Sequence, residues 1–112
     1  MSNLLDVKRS SVSRTLKEYE IYLKEFEGLQ SKLDTLKERG NDHETKKTLE
    51  LCNESESVLN DTKGRLFNYA IDLESYIKEE SDVLDSKGLE MAKESLLTLS
   101  KRHPQVGYTF GL

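Results

Sequence analysis

Residues 5–36 read LDVKRSSVSRTLKEYEIYLKEFEGLQSKLDTL. Within them Leu5, Val12, Leu16, Tyr19, Leu23, Phe26 and Leu33 recur at steps of seven, four and three, which places every one of these side chains on a single face of a long helix. Setting Val12, Tyr19, Phe26 and Leu33 at heptad position d puts Leu16 and Leu23 at a, with Tyr22, Leu29 and Leu36 at g. Three columns make a wider stripe than a two-stranded coiled coil needs, and predict a helix covered by two neighbours.

The rest of the chain follows from where that helix stops. It starts near Asn3 to Asp6. Lys37 and Arg39 suit its C-terminal dipole, Gly40 suits the left-handed position after it, and Asn41 with Glu44 three residues later resembles a capping box. So short a turn makes the second helix an antiparallel neighbour. There Cys52, Leu59, Leu66 and Leu73 form one column, and Ser55, Thr62, Tyr69, Tyr76 and Val83 a second. Ala70, Ile77 and Leu84 flank them. The columns are polar near Ser55 and Thr62 and richer after Leu66, so the two halves should pack unequally. Acid-first pairs four apart, Asp42–Lys46, Asp61–Arg65 and Glu74–Lys78, support this helix. Asp82, Asp85 and Ser86 all suit a cap near Gly88, where a turn precedes a third helix buried through Leu89, Ala92, Leu96 and Leu99. Pro104 ends it. The expectation is an all-α, antiparallel three-helix bundle over 1–102, with helices at about 4–38, 43–80 and 87–101. A tail at 103–112 is either flexible or docked by Tyr108 and Phe110.

Composition narrows function by exclusion. A net charge of −4 and a pI near 5.3 disfavour nucleic acid, which wants a basic surface. No apolar run is long enough to span a membrane and no signal peptide is visible, so no membrane partner is expected. With one cysteine, Cys52, these features point to the cytoplasm. His43 and His103 are far apart, the glycines are scattered singly, and Cys52 lies on an apolar column. No metal, cofactor or nucleophile constellation emerges, and the expectation is a non-enzyme without cofactors. Phe67 and Ile71, four apart and off the seam, form either an exposed apolar patch or a surface covered by the third helix or the tail.

Two blocks of sequence carry more. One is Asp6-Val7-Lys8, Val12, Leu16-Lys17-Glu18, Tyr22 and Lys24-Glu25. The other is Lys46-Lys47, Glu50, Glu54-Ser55, Asp61, Arg65-Leu66, Ala70 and Asp72-Leu73. In order, spacing and helix length they resemble the tubulin-binding cofactor A family, and a weaker likeness continues through Glu90, Ala92 and Leu96. Members of that family commonly carry a proline in mid-second helix, where this chain has Asn60. The resemblance implies a chaperone that captures near-native β-tubulin after chaperonin release and passes it on for pairing with α-tubulin, without catalysis or nucleotide. It further implies other tubulin-folding cofactors as partners and an association with the microtubule cytoskeleton, as a monomer or weak homodimer. The matched surface residues are Lys17, Glu18, Lys24, Glu25, Lys46, Lys47, Glu50 and Glu54, with Phe67 and Ile71 as an added apolar candidate. The competing reading is a structural coiled-coil adaptor or tethering subunit whose apolar stripe belongs to another chain.

Overall fold

A computed structural model describes residues 4–111; residues 1–3 and 112, which include the expected start at Asn3 and the tail's last residue, lie outside it. The chain folds as three helices, α1 (Leu4–Arg39), α2 (Asp42–Glu80) and α3 (Ser86–Arg102), followed by a short 3-10 turn at Pro104–Val106. They form a rod of 62 × 27 × 17 Å. α2 is unbroken through Asn60 and Gly64.

The α1–α2 turn works as its residues predict. Gly40 takes φ +72°, its N–H donates to the Lys37 carbonyl, and the Asn41 N–H reaches back to the Leu36 carbonyl at 3.3 Å, the paired bonds of a Schellman ending. The Asn41 side chain then accepts from the Glu44 N–H at 3.2 Å and opens α2. Of the three cap candidates before α3, Asp85 is used: its backbone is extended and its carboxylate accepts from the Gly88 N–H at 3.2 Å.

One core is shared by all three helices. Leu5, Val12 and Tyr19 of α1, Leu59, Leu66, Ala70, Leu73 and Ile77 of α2, and Ala92, Leu96 and Leu99 of α3 are buried in one cluster. Thr15, Thr48 and Thr62 are buried beside the apolar columns. The Thr62 hydroxyl donates to the Val58 carbonyl at 2.9 Å, so it needs no partner across the seam.

α3 runs in the same direction as α1. Gly88, near its start, lies so close to Leu5 that a Cβ there would sit 3.1 Å from the leucine's Cδ2. At its end Arg102 pairs with Glu20 at 3.4 Å. α3 therefore spans α1 from Leu5 to about Glu20 and goes no further: its 17 residues reach about 26 Å, against about 54 Å for the 36 residues of α1. Beyond Glu20 the bundle has two helices. This corrects the expectation of a wide α1 stripe covered by two neighbours: α3 covers its a column as far as Glu20 and leaves the g column on the other side. Tyr22 and Leu29, assigned to the core columns, are only half-buried, and Val83, placed at the end of an α2 column, is 77% exposed in the turn before α3.

The chain's C-terminal segment is docked, and not only by its aromatics. Val106 and Tyr108 join the main core. His103 is buried edge-on to Tyr19, with ring centroids 5.2 Å apart. Its Nε2 lies 3.1 Å from the Glu20 carboxylate, and Gln105 bridges its Nδ1 to the Tyr19 hydroxyl. Burial pushes the Glu20 pKa up, but the His103 hydrogen bond and the Arg102 charge outweigh it and hold the carboxyl below its ordinary value. Further on, Tyr108 Oη donates to Glu74 at 3.1 Å, and the Gly111 N–H donates to the same oxygen at 3.0 Å. Of the three acid-first pairs expected on α2, Asp61–Arg65 is the one that forms an ion pair among the described residues; Glu74 is turned to the C-terminal segment instead.

Burial first, then the hydrogen bond to Glu74 and its charge, hold the Tyr108 phenol well above its usual pKa of 10.0. A phenol whose ionisation is suppressed in the folded state stabilises fully below its unfolded pKa. That contribution falls as pH rises, because only the unfolded chain releases the proton. Thermal unfolding followed by circular dichroism should therefore show the wild-type Tm falling more steeply than that of Tyr108→Phe between about pH 9.5 and 11, with parallel curves contradicting the assignment.

Candidate functional site

Where α3 ends, the α1–α2 pair is left with two open flanks. Position d of α1 faces α2, and positions a and g lie on opposite sides of it. The a and e side carries Arg9, Ser13, Leu16 and Glu20, which meet Met91, Glu94, Thr98 and Arg102 of α3. Continuing along that side past α3 is a shallow groove of about 380 Å³ that includes Phe26, Leu33, Asp34, Leu49 and Glu56. Its rims mix both signs of charge.

The other flank is different. Tyr22, Glu25 and Leu29 of α1 and Leu51, Glu54, Ser55 and Val58 of α2 enclose a groove of about 420 Å³ on the side of the rod away from α3. Its floor is apolar. Leu51 is 43% and Val58 46% exposed, so about half of each side chain already lies against the protein while the rest is open to a partner. Neither Glu25 nor Glu54 is in an ion pair among the described residues.

The surface residues singled out in the sequence fall into three places. Glu25 and Glu54 are brought together on the rims of this groove. Lys46, Lys47 and Glu50 are exposed on the first turns of α2, at the hairpin tip, and Lys24 is exposed beside Glu25. Lys17 and Glu18 lie nearer the three-helix end: Lys17 lines the α1–α3 cleft, and Glu18 pairs with Arg65 at 3.8 Å. Phe67 and Ile71 divide between the two readings given above. Phe67 packs against the core beside Val106, whereas Ile71 remains 41% exposed.

Sequence reasoning passed over Leu51 and Val58, which stand off both seam columns. The signal was present: Leu51, Val58 and Arg65 are one heptad apart, so two apolar residues and an arginine share a column just outside the seam. Tyr22 and Leu29 were visible but read as core, because periodicity alone does not say which flank the covering helix takes.

Among the described residues no group of three or more His, Cys, Asp or Glu is arranged to hold a metal, and no helix is long and apolar enough to cross a membrane. What the fold offers is extended helical surface: apolar grooves between charged rims on a two-helix arm, anchored by a three-helix base. This is a helical-bundle binding protein. The model of the tubulin binding cofactor A family matches residues 2–96, and the chain belongs to that family, one of tubulin-binding chaperones and not of enzymes. Searches of curated proteins and of solved structures found no match.

The division into base and arm has an energetic consequence. Leu66→Ala, at a fully buried site in the base, should cost about 2–5 kcal/mol in denaturant unfolding. Leu51→Ala on the arm should cost about 1 kcal/mol or less; equal losses would mean that the arm's grooves are part of the core.

Proposed function

We propose that this tubulin-binding cofactor captures β-tubulin in a near-native state after its release from the chaperonin and passes it on, through other tubulin-folding cofactors, for assembly with α-tubulin. It works in the cytoplasm, in association with the microtubule cytoskeleton, as a monomer or weak homodimer. The observation that supports this reading best is the arm itself. A chaperone for a near-native client needs a surface that holds without unfolding and lets go again. Half-exposed apolar side chains between solvated charges supply that: moderate apolar contact for affinity, and charge for orientation and exchange. The preference for β-tubulin rests on the family resemblance of the two α1 and α2 blocks, whose charged members Lys24, Glu25, Lys46, Lys47, Glu50 and Glu54 stand on the arm.

Immobilised wild-type chain exposed to cell extract should retain β-tubulin and not α-tubulin; equal retention of both, or of neither, contradicts the proposal. The double variant Lys46→Glu/Lys47→Glu should weaken retention while leaving thermal unfolding unchanged, since both side chains are exposed. Loss of retention and of stability together would show instead that the lysines serve the fold.

A further inference from the structure

The charges along the open groove repeat with the heptad. At the level nearest the base, Glu18 of α1 and Asp61 of α2 both pair with Arg65, at 3.8 and 3.6 Å. One heptad toward the tip stand Glu25 and Glu54, on the two rims of the groove. One heptad further, the same columns hold Lys32 and Lys47. Each level thus carries like charges from the two helices, and like charges beside one another cost energy unless an opposite charge lies between them. Arg65 provides that opposite charge at the first level. Its column holds Val58 at the second level and Leu51 at the third, both about half exposed, so no side chain of the column neutralises those levels.

We propose that this groove receives an amphipathic helix of the tubulin client that carries a lysine or arginine between Glu25 and Glu54. Its apolar side chains rest on Leu29, Leu51 and Val58, and an acidic residue nearer the tip meets Lys32 and Lys47. The partner's cation repeats at the second level what Arg65 does at the first. A helix is the fitting shape, because α3 already lies as a helix against the opposite flank of the same pair and leaves this one free. The alternation of negative and positive levels sets the direction in which the incoming helix lies, since reversing it would put like charges together. This inference rests on the β-tubulin reading above.

The chain can be made to satisfy itself. Val58→Arg places a guanidinium at the position that Arg65 holds one level below. Retention of β-tubulin by the full chain should fall at least about tenfold, with Tm unchanged or raised. Glu25→Gln/Glu54→Gln should weaken retention without loss of fold, and Asp34→Asn/Glu56→Gln on the other flank should leave it unchanged. The proposal is overturned if Val58→Arg and Glu25→Gln/Glu54→Gln both retain β-tubulin as the wild type does, or if the other-flank pair weakens retention as much. Light scattering that shows a wild-type dimer abolished by Val58→Arg would make a second copy of this chain the occupant, and would also overturn it. A wild-type chain that retains no β-tubulin contradicts the functional reading itself and removes this occupant with it, an outcome separate from a wild type that binds and variants that bind equally.

Discussion

Helix length is the constraint on which this structure depends. α1 and α2, of 36 and 39 residues, are matched and pair along their whole extent, but α3 has 17. Three helices enclose a dry core only as far as the shortest one reaches. Up to Glu20 the d column of α1 is enclosed by α2 and α3, with residues such as Val12, Leu66, Leu73 and Leu96 fully buried. Past that point the same heptad pattern continues with one neighbour instead of two. Leu33, Leu36 and Cys52 still bury themselves in the seam, while Tyr22, Leu29, Leu51 and Val58 stand on the flank that α3 does not take. The arm's apolar grooves are therefore a geometric remainder of the fold.

The base is correspondingly reinforced. Its end is closed by the C-terminal segment, where His103, Gln105 and Tyr108 tie α3 to Tyr19 and Glu20 on α1 and to Glu74 on α2. Arg102 and Glu20 place charge at the level where α3 stops, and His103 hydrogen-bonds beside them, so the change from three helices to two is marked by a polar lock. Beyond the lock only α1–α2 contacts and the Gly40–Asn41 turn hold the arm. A well-covered base with a less covered arm suits the transient client binding proposed above, because an arm that binds is then a lesser part of what keeps the chain folded.

Much of the architecture was legible in the sequence, for particular reasons. Gly40, Asn41 and Glu44 specified the hairpin because each residue type answers a local backbone need. The d column was legible because its spacing is helical and its members are apolar. The shift from Ser55 and Thr62 to Leu66 and beyond foretold unequal halves, and the richer half is the one that α3 covers. Less legible was the fate of residues whose burial depends on distant chain. Tyr22 and Leu29 have the period of core residues but stand on the flank away from the third helix, and Val83 keeps its column's period in a segment that has already left the helix. His103 and Gln105 gave no pattern at all, since their partners Tyr19 and Glu20 lie more than 80 residues away. Of the candidate surface residues, Glu25 and Glu54 proved to share one groove, a pairing that needs the register of two antiparallel helices.

Backbone amide hydrogen exchange of the full chain, alone and with β-tubulin bound, probes the division of labour between base and arm most directly. Binding through the arm predicts added protection in residues 22–58, with α3 and the C-terminal segment exchanging as they do in the free chain. Protection concentrated on α3 and residues 103–111, with the arm unchanged, would contradict it.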